Sequence, residues 1–210
     1  MPHSYSDFRA VIIDLLLDAI PDRETRIIDV GAGDGSFGAA IRARFPNTDA
    51  MEIWQPYIDE FQLSRKYRRV YVMRAQDIAD SDVRGAIFVF GDIIEHMEAS
   101  EAQLLLRRLI ASGARMIVIK VPWMYEQGPG HPDVLATGNV YEIHKQPDLT
   151  PEIFEGRYPE MSLVAKNERS RPREWCTRGS SDPSFFSSEP VGDTRPKAAE
   201  LQRAIIVVSG

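Results

Sequence analysis

The sequence is poor in cysteine and contains no long apolar run. Cys176 is the only cysteine, which excludes an internal disulfide and suits a reducing compartment, so we expect a cytoplasmic protein. Asp14 and Asp18 interrupt the only stretch that is apolar enough to suggest a membrane segment, and neither a transmembrane span nor a secretory signal is expected. Histidine and cysteine spacing typical of a zinc site is also missing, so no metal is expected.

Positive charge is scarce over most of the chain. Residues 1–156 contain 16 Lys and Arg against 24 Asp and Glu, a net charge of −8, whereas residues 157–210 carry +2. An acidic region is a poor electrostatic match for a nucleic-acid backbone, so we expect a small-molecule partner. The 210 residues, 43% hydrophobic and 27% charged, suffice for one globular domain spanning residues 1–210.

Short apolar runs alternate with helical patterns between residues 26 and 122. Strands are predicted at residues 26–30, 49–53, 69–73, 86–91 and 115–121. Helices are predicted at residues 5–20, 36–45, 55–66 and 100–112, the last with Ser100 as its N-cap. Strict alternation of this kind argues for a doubly wound α/β fold with a parallel sheet.

A glycine-rich turn follows the first predicted strand and leads directly into a helix. Such a turn lets the backbone approach a ligand closely, and the amides at the start of the helix face that ligand. Residues 33–38 match the dinucleotide pattern G-x-G-x-x-G, and residues 29–35 match D-x-G-x-G-x-G. Carboxylates at Asp29 and Asp34 would repel a pyrophosphate, whereas they favour a cationic ligand. A glycine turn without any ligand is the third alternative.

The D-x-G-x-G-x-G segment resembles that of class I S-adenosylmethionine-dependent methyltransferases of the small-molecule type. The resemblance implies a Rossmann-like sheet of seven strands, mostly parallel with one antiparallel strand, completed by residues 161–166 and 204–208. It also implies S-adenosylmethionine as cofactor, with its ribose on Glu52, its adenine near Asp77 and its ammonium near Asp29 and Asp92. The implied cofactor residues are Asp29, Gly31, Gly33, Gly35, Glu52, Ile53, Asp77, Ile78 and Asp92.

The segment from Asp92 to His96 resembles the D-x-x-E-H segment that follows the fourth strand in small-molecule methyltransferases. Because a histidine can accept a proton near neutral pH, His96 is the first candidate for a general base. His144, in a segment resembling N-x-Y-E-x-H, is the second. The N-P-P-Y pattern of base-amine methyltransferases is absent. We therefore expect O-methylation of a small molecule or sugar, with residues 123–160 as a substrate lid.

Residues 167–197 are rich in Ser, Pro and Arg and show little periodicity, as in a long insertion or a mobile loop. This segment keeps a second class of function open, in which a non-catalytic cofactor-binding module recruits a partner through the segment. An NAD(P)-dependent oxidoreductase is the other alternative, because an acid after the second strand also suits a dinucleotide ribose.

Overall fold

The computed structural model describes residues 9–166 and 203–209. The predicted insertion at residues 167–197 and the first four residues of the predicted N-terminal helix lie outside the described part. The single-domain and lid boundaries therefore stay predictions.

The sheet has seven strands, and the five that extend inward from one edge are parallel. The strands are β1 (Ile27–Val30), β2 (Thr48–Met51), β3 (Val70–Tyr71), β4 (Ile87–Gly91), β5 (Met116–Pro122), β6 (Ser162–Lys166) and β7 (Arg203–Ser209). Their order is β3-β2-β1-β4-β5-β7-β6. Strands β1 to β5 pair in parallel, which confirms the α/β Rossmann-like fold with a parallel sheet. Strand β7 pairs antiparallel with β5 and with β6.

One helix of the described region precedes β1, and the others connect successive strands between β1 and β6. They are α1 (Arg9–Ala19), α2 (Ser36–Arg42), α3 (Gln55–Glu60), α4 (Leu63–Lys66), α5 (Asp80–Val83), α6 (Ala99–Ala111), α7 (Pro132–Thr137) and α8 (Pro151–Arg157). The parallel strands carry apolar clusters on both faces, as a doubly wound sheet requires. One cluster includes residues of α6 and α8, and the other includes residues of α1 and α2.

Some predicted boundaries are wrong for local physical reasons. The helix predicted over residues 55–66 is two helices, because Gln62 adopts a left-handed conformation with φ of 50°. Helix α6 begins at Ala99 with Glu98 at the cap position, so Ser100 is not its N-cap. Strand β2 ends at Met51, and Glu52 turns its carboxylate toward the glycine loop. Thr150 caps α8 and accepts a hydrogen bond from the Ile153 amide at 3.2 Å.

No helix within the described ranges is both long and apolar enough to cross a membrane.

Candidate active site

The glycine loop joins β1 to α2 at the carboxyl edge of the sheet. Gly31, Gly33 and Gly35 have φ angles of 68°, 52° and 72°, in the left-handed region that favours glycine. The Gly31 amide donates to the carbonyl of Met51 at 2.8 Å. The tight turn predicted from the sequence is therefore confirmed, and its backbone is tied to the end of β2.

The Glu52 carboxylate lies against this loop and is only 5% exposed. Its Oε2 atom accepts a hydrogen bond from the Gly33 amide at 3.0 Å, and its Oε1 atom accepts one from the Trp54 amide at 2.8 Å. Burial raises the pKa of Glu52, and these backbone donors oppose the rise. Each carboxylate oxygen has a second lone pair, so Glu52 is able to accept from a diol while it anchors the loop.

Asp29, in β1 beneath the loop, is 2% exposed. The Tyr67 hydroxyl donates a hydrogen bond to its Oδ2 atom at 2.5 Å. Burial raises the pKa of Asp29 to about 7, although the Tyr67 hydrogen bond acts in the opposite direction. A Cβ atom at Gly38 would lie 2.1 Å from the Tyr67 hydroxyl oxygen. The last glycine of the G-x-G-x-x-G match thus makes room for the tyrosine that binds Asp29.

Asp92 follows β4 and has a left-handed backbone with φ of 58°. Its Oδ2 atom lies 2.8 Å from the Lys120 ammonium, and that lysine is 2% exposed. A buried ammonium therefore already balances the Asp92 carboxylate, and a cofactor ammonium would have to share it. Lys120 was not predicted as a site residue, although a lysine inside the otherwise apolar strand β5 is a signal that the sequence contains.

The remaining predicted cofactor residues differ in accessibility. Asp77 is exposed at the end of a 3-10 turn, and Ile53 is half-buried. Ile78 is 1% exposed and belongs to the main apolar cluster. The Trp54 ring contacts the Tyr141 ring edge-on, with centroids 6.2 Å apart. Asp77, Ile53 and Trp54 are therefore at least partly accessible, whereas Ile78 belongs to the core.

His96 and His144 lie together beyond the ends of β4 and β5. Their ring centroids are 4.6 Å apart in an edge-to-face arrangement. The amides of Lys145 and Gln146 both donate to the Glu95 carbonyl, at 2.7 and 3.0 Å. The Gln146 side-chain amide donates to the Ile94 carbonyl at 2.9 Å. These hydrogen bonds hold the segment that carries His144 against the 3-10 turn that carries His96.

The two rings differ in their surroundings. Burial, and to a smaller extent the neighbouring His144, lowers the pKa of His96 to about 3, so its ring is neutral at physiological pH. Among the described residues, the Nδ1 atom of His96 has no hydrogen-bond partner. The Nδ1 atom of His144 lies 2.8 Å from the Tyr125 carbonyl oxygen. Because a carbonyl only accepts, this His144 nitrogen carries the proton in the neutral ring, and the lone pair lies on Nε2.

A hydrogen bond between Tyr57 and Glu142 links the histidine side of the site to the side of the glycine loop. The Tyr57 hydroxyl, on α3, donates to the Glu142 carboxylate, which is 8% exposed. Glu142 also contributes to the raised pKa of Glu52. Residues 139–146 therefore reach both groups of predicted site residues. Tyr57 gave no signal in the sequence, because a single tyrosine in an amphipathic helix looks like an ordinary core residue.

Comparison with solved structures finds similar folds in proteins described as methyltransferases or crystallised with S-adenosylhomocysteine (SAH). The N-terminal domain of EvdMO1, solved in the presence of SAH and D-fucose, is 12% identical, with a TM-score of 0.58 over 97% of this chain and 83% of that one. A putative O-methyltransferase from Nostoc punctiforme is 14% identical, with a TM-score of 0.55 over 99% of this chain. This chain covers 57% of the Nostoc protein's length.

An N1-methyltransferase for 1,6-didemethyltoxoflavin from Burkholderia thailandensis, solved with SAH, is 12% identical. Its TM-score is 0.54 over 97% of this chain and 78% of that one. No protein-family model matches the chain, and no curated protein matches it in sequence. At these identities the similarity establishes the shared fold, so the activity is argued from the site itself.

Proposed function

We propose that the protein is an S-adenosylmethionine-dependent methyltransferase that modifies a hydroxyl group of a small molecule or sugar. The observation that carries the proposal is the buried Glu52 carboxylate, hydrogen-bonded to the Gly33 amide where β1 and β2 end. This arrangement offers carboxylate oxygens to a ribose and a close glycine backbone to the rest of a nucleoside ligand.

The residues around the loop suit a cationic cofactor better than a pyrophosphate. Asp29, Asp34 and Glu52 lie close enough for the latter two to raise the pKa of Asp29. Such a cluster of acids would repel a dinucleotide's phosphates, whereas it favours the ammonium and sulfonium of S-adenosylmethionine. We assign the ribose to Glu52, the adenine to the side of Ile53 and Asp77, and the methionine end to the side of Asp29 and Asp92.

The cofactor supplies a methyl group that passes to the acceptor oxygen as its bond to sulfur breaks, with SAH and a proton as the other products. The protein contributes alignment of the acceptor. We place the acceptor hydroxyl beside His96 and His144, at the same edge of the sheet as the glycine loop. Because the pKa of His96 is about 3, His96 accepts a hydrogen bond from the hydroxyl more readily than its proton. We assign to the two rings a positioning role at the oxygen.

The lid prediction gains support from the same contacts. Residues 139–146 carry His144 and are held against α3 and the 3-10 turn of His96 by the Tyr57–Glu142 and Gln146–Ile94 hydrogen bonds. Tyr141 and Val140 in this segment are 48% and 61% exposed. We propose that residues 123–160 cover the acceptor and select it.

Methyl transfer itself tests this proposal. The purified chain is incubated with cofactor labelled in its methyl group and with fractions of a cell extract. We expect label in the small-molecule fraction, and base-stable label on a sugar or alcohol oxygen would fix the acceptor class. Label confined to RNA would overturn the acceptor assignment. Absence of transfer to every fraction, together with a protein that co-purifies only when residues 170–195 are present, would favour the non-catalytic module.

A further inference from the structure

Three side chains with metal-binding atoms meet at the acceptor side of the site. The carboxylate of Glu95 and the ring nitrogens of His96 and His144 offer one ligand atom each, and these three atoms all lie within 4.8 Å of one another. Glu95 is 1% exposed. From these positions we propose that Glu95, His96 and His144 bind a divalent transition-metal cation.

The tautomers of the cluster suit a metal. The His144 Nδ1 proton is directed to the Tyr125 carbonyl at 2.8 Å, which turns the Nε2 lone pair away from that hydrogen bond. Metal-bound histidines commonly hold their other ring nitrogen on a carbonyl in this manner, which fixes the ring. His96 has an Nδ1 atom that is buried and has no hydrogen-bond partner among the described residues.

The backbone brings the ligands together before any metal binds. Glu95 and His96 are neighbours in one 3-10 turn, and the Glu95 carbonyl accepts from the amides of Lys145 and Gln146, the residues that follow His144. Ligand atoms bound at about 2.0–2.2 Å in a tetrahedral site are about 3.3–3.6 Å apart. Because the three atoms lie within 4.8 Å of one another, side-chain movements of at most about 1.5 Å would close the cluster around a cation.

The donor set also limits the identity of the metal. Two imidazoles with one carboxylate suit Mn²⁺, Fe²⁺, Co²⁺ or Zn²⁺, whereas Mg²⁺ and Ca²⁺ prefer oxygen ligands alone. Three protein ligands leave coordination positions for another oxygen. The role of the cation in methyl transfer rests on the proposed function. The oxygen of the acceptor hydroxyl would occupy an open coordination position, which would make the hydroxyl more acidic, so that its proton passes to solvent.

Direct titration with Co²⁺ tests the site on the full chain without any assay of activity. We expect one equivalent to bind in calorimetry and to produce visible ligand-field absorption. Glu95→Gln and His144→Ala should each weaken Co²⁺ binding by 10-fold or more, following the ~10–100-fold losses typical when metal sites are disturbed. The matched controls are Glu98→Gln, an exposed acid three residues away, and His131→Asn, which keeps a side chain suited to the N-cap of α7.

The outcomes separate the metal site from the proposed function. Thermal melting first establishes that the variants are folded. Unchanged Co²⁺ affinity in both Glu95→Gln and His144→Ala, or no binding by the parent protein, would overturn the metal site. Binding of SAH is measured separately in the presence of a chelator. A protein that binds SAH and no cation refutes only the metal, whereas one that binds Co²⁺ and no SAH keeps the metal and refutes the cofactor.

Discussion

The two halves of the candidate site are assembled over very different lengths of chain. On the glycine-loop side, the Gly33 amide and the Glu52 carboxylate that accepts its hydrogen bond are 19 positions apart. On the histidine side, the Gln146 side chain reaches the Ile94 carbonyl across 52 positions. The first half follows from one strand–turn–helix unit and the strand beside it. The second depends on a segment returning to the sheet after β5.

The halves differ in chemistry as well. Around the loop the carboxyl groups of Asp29 and Glu52 are buried, and burial raises the pKa of both. Around the histidines, two imidazole rings lie close to the buried carboxylate of Glu95. We therefore assign cofactor binding to the acidic half and acceptor positioning to the histidine half, so changes in one half should leave the other's function intact.

Substitution of the histidines should give the largest difference between the effect on turnover and the effect on cofactor binding. His96→Ala and His144→Ala should each lower turnover by at least about 10²-fold, as expected when a group that positions the acceptor is lost, with little change in SAH affinity. Steady-state rates and calorimetry on the same preparations measure the two quantities. Glu98→Gln, a change at an exposed acid, should keep normal turnover. A His144→Ala enzyme that also loses SAH binding would show that the halves are not independent.

The buried acid of the loop half should be visible in the pH dependence of stability. The pKa of Asp29 rises from 3.8 to about 7 on folding, so the native state holds a proton that the unfolded chain releases. The free energy of unfolding should therefore fall as pH rises between about 4 and 7, by about 2–4 kcal/mol from this group. Urea unfolding of the parent and of Asp29→Asn isolates this contribution, because asparagine cannot ionise.

The stability of Asp29→Asn relative to the parent should change with pH in one direction. Asp29→Asn should gain stability relative to the parent as pH rises through 7, and the difference should shrink toward pH 4. Tyr67→Phe removes a hydrogen bond that lowers the Asp29 pKa, so it should move the loss of stability to higher pH. Parallel unfolding profiles for the parent and Asp29→Asn would contradict the burial argument.

Glu52 gives the next largest effect and bears on the loop half alone. Glu52→Ala removes hydrogen bonds to a charged acceptor, each worth ~1.5–3 kcal/mol, and should weaken SAH binding by roughly 10–100-fold in calorimetry. Cobalt binding at the histidine half should not change. Normal SAH affinity in this variant would reduce Glu52 to a structural anchor for the Gly33 amide.

The smallest effect concerns the packing beneath the loop. Gly38→Ala places a methyl group 2.1 Å from the Tyr67 hydroxyl oxygen, and Tyr67 is only 2% exposed. Overpacking of this kind costs about 1–3 kcal/mol, measurable by urea unfolding. Gly156→Ala is the matched control, since a Cβ at this α8 residue meets no atom within 4 Å. It should leave stability unchanged or raise it by up to ~1 kcal/mol. Equal stabilities for the two variants would show that Tyr67 has room to move.

The glycine-loop half was easier to predict from the sequence than the histidine half, because its residues lie closer together along the chain. The turn at Gly31 to Gly35 and the acid at Glu52 were predictable because strand ends, glycines and alternating helices are local signals. The neighbours of these residues were not: Tyr67 reaches Asp29 only after α3 and α4 turn the chain, and Lys120 meets Asp92 through the pairing of β4 with β5. Ligand sets split across the chain have no fixed spacing, so Glu95, His96 and His144 did not appear as a metal site.

Calorimetric titration of the purified chain with SAH and, separately, with NAD shows which nucleoside ligand the glycine loop and Glu52 bind. We expect saturable binding of SAH with one site per chain and no measurable binding of NAD. SAH at 100 times its dissociation constant should also stabilise the fold by about 2.7 kcal/mol. Binding and stabilisation by NAD without any by SAH would refute the methyltransferase assignment and make the protein a dinucleotide-dependent enzyme.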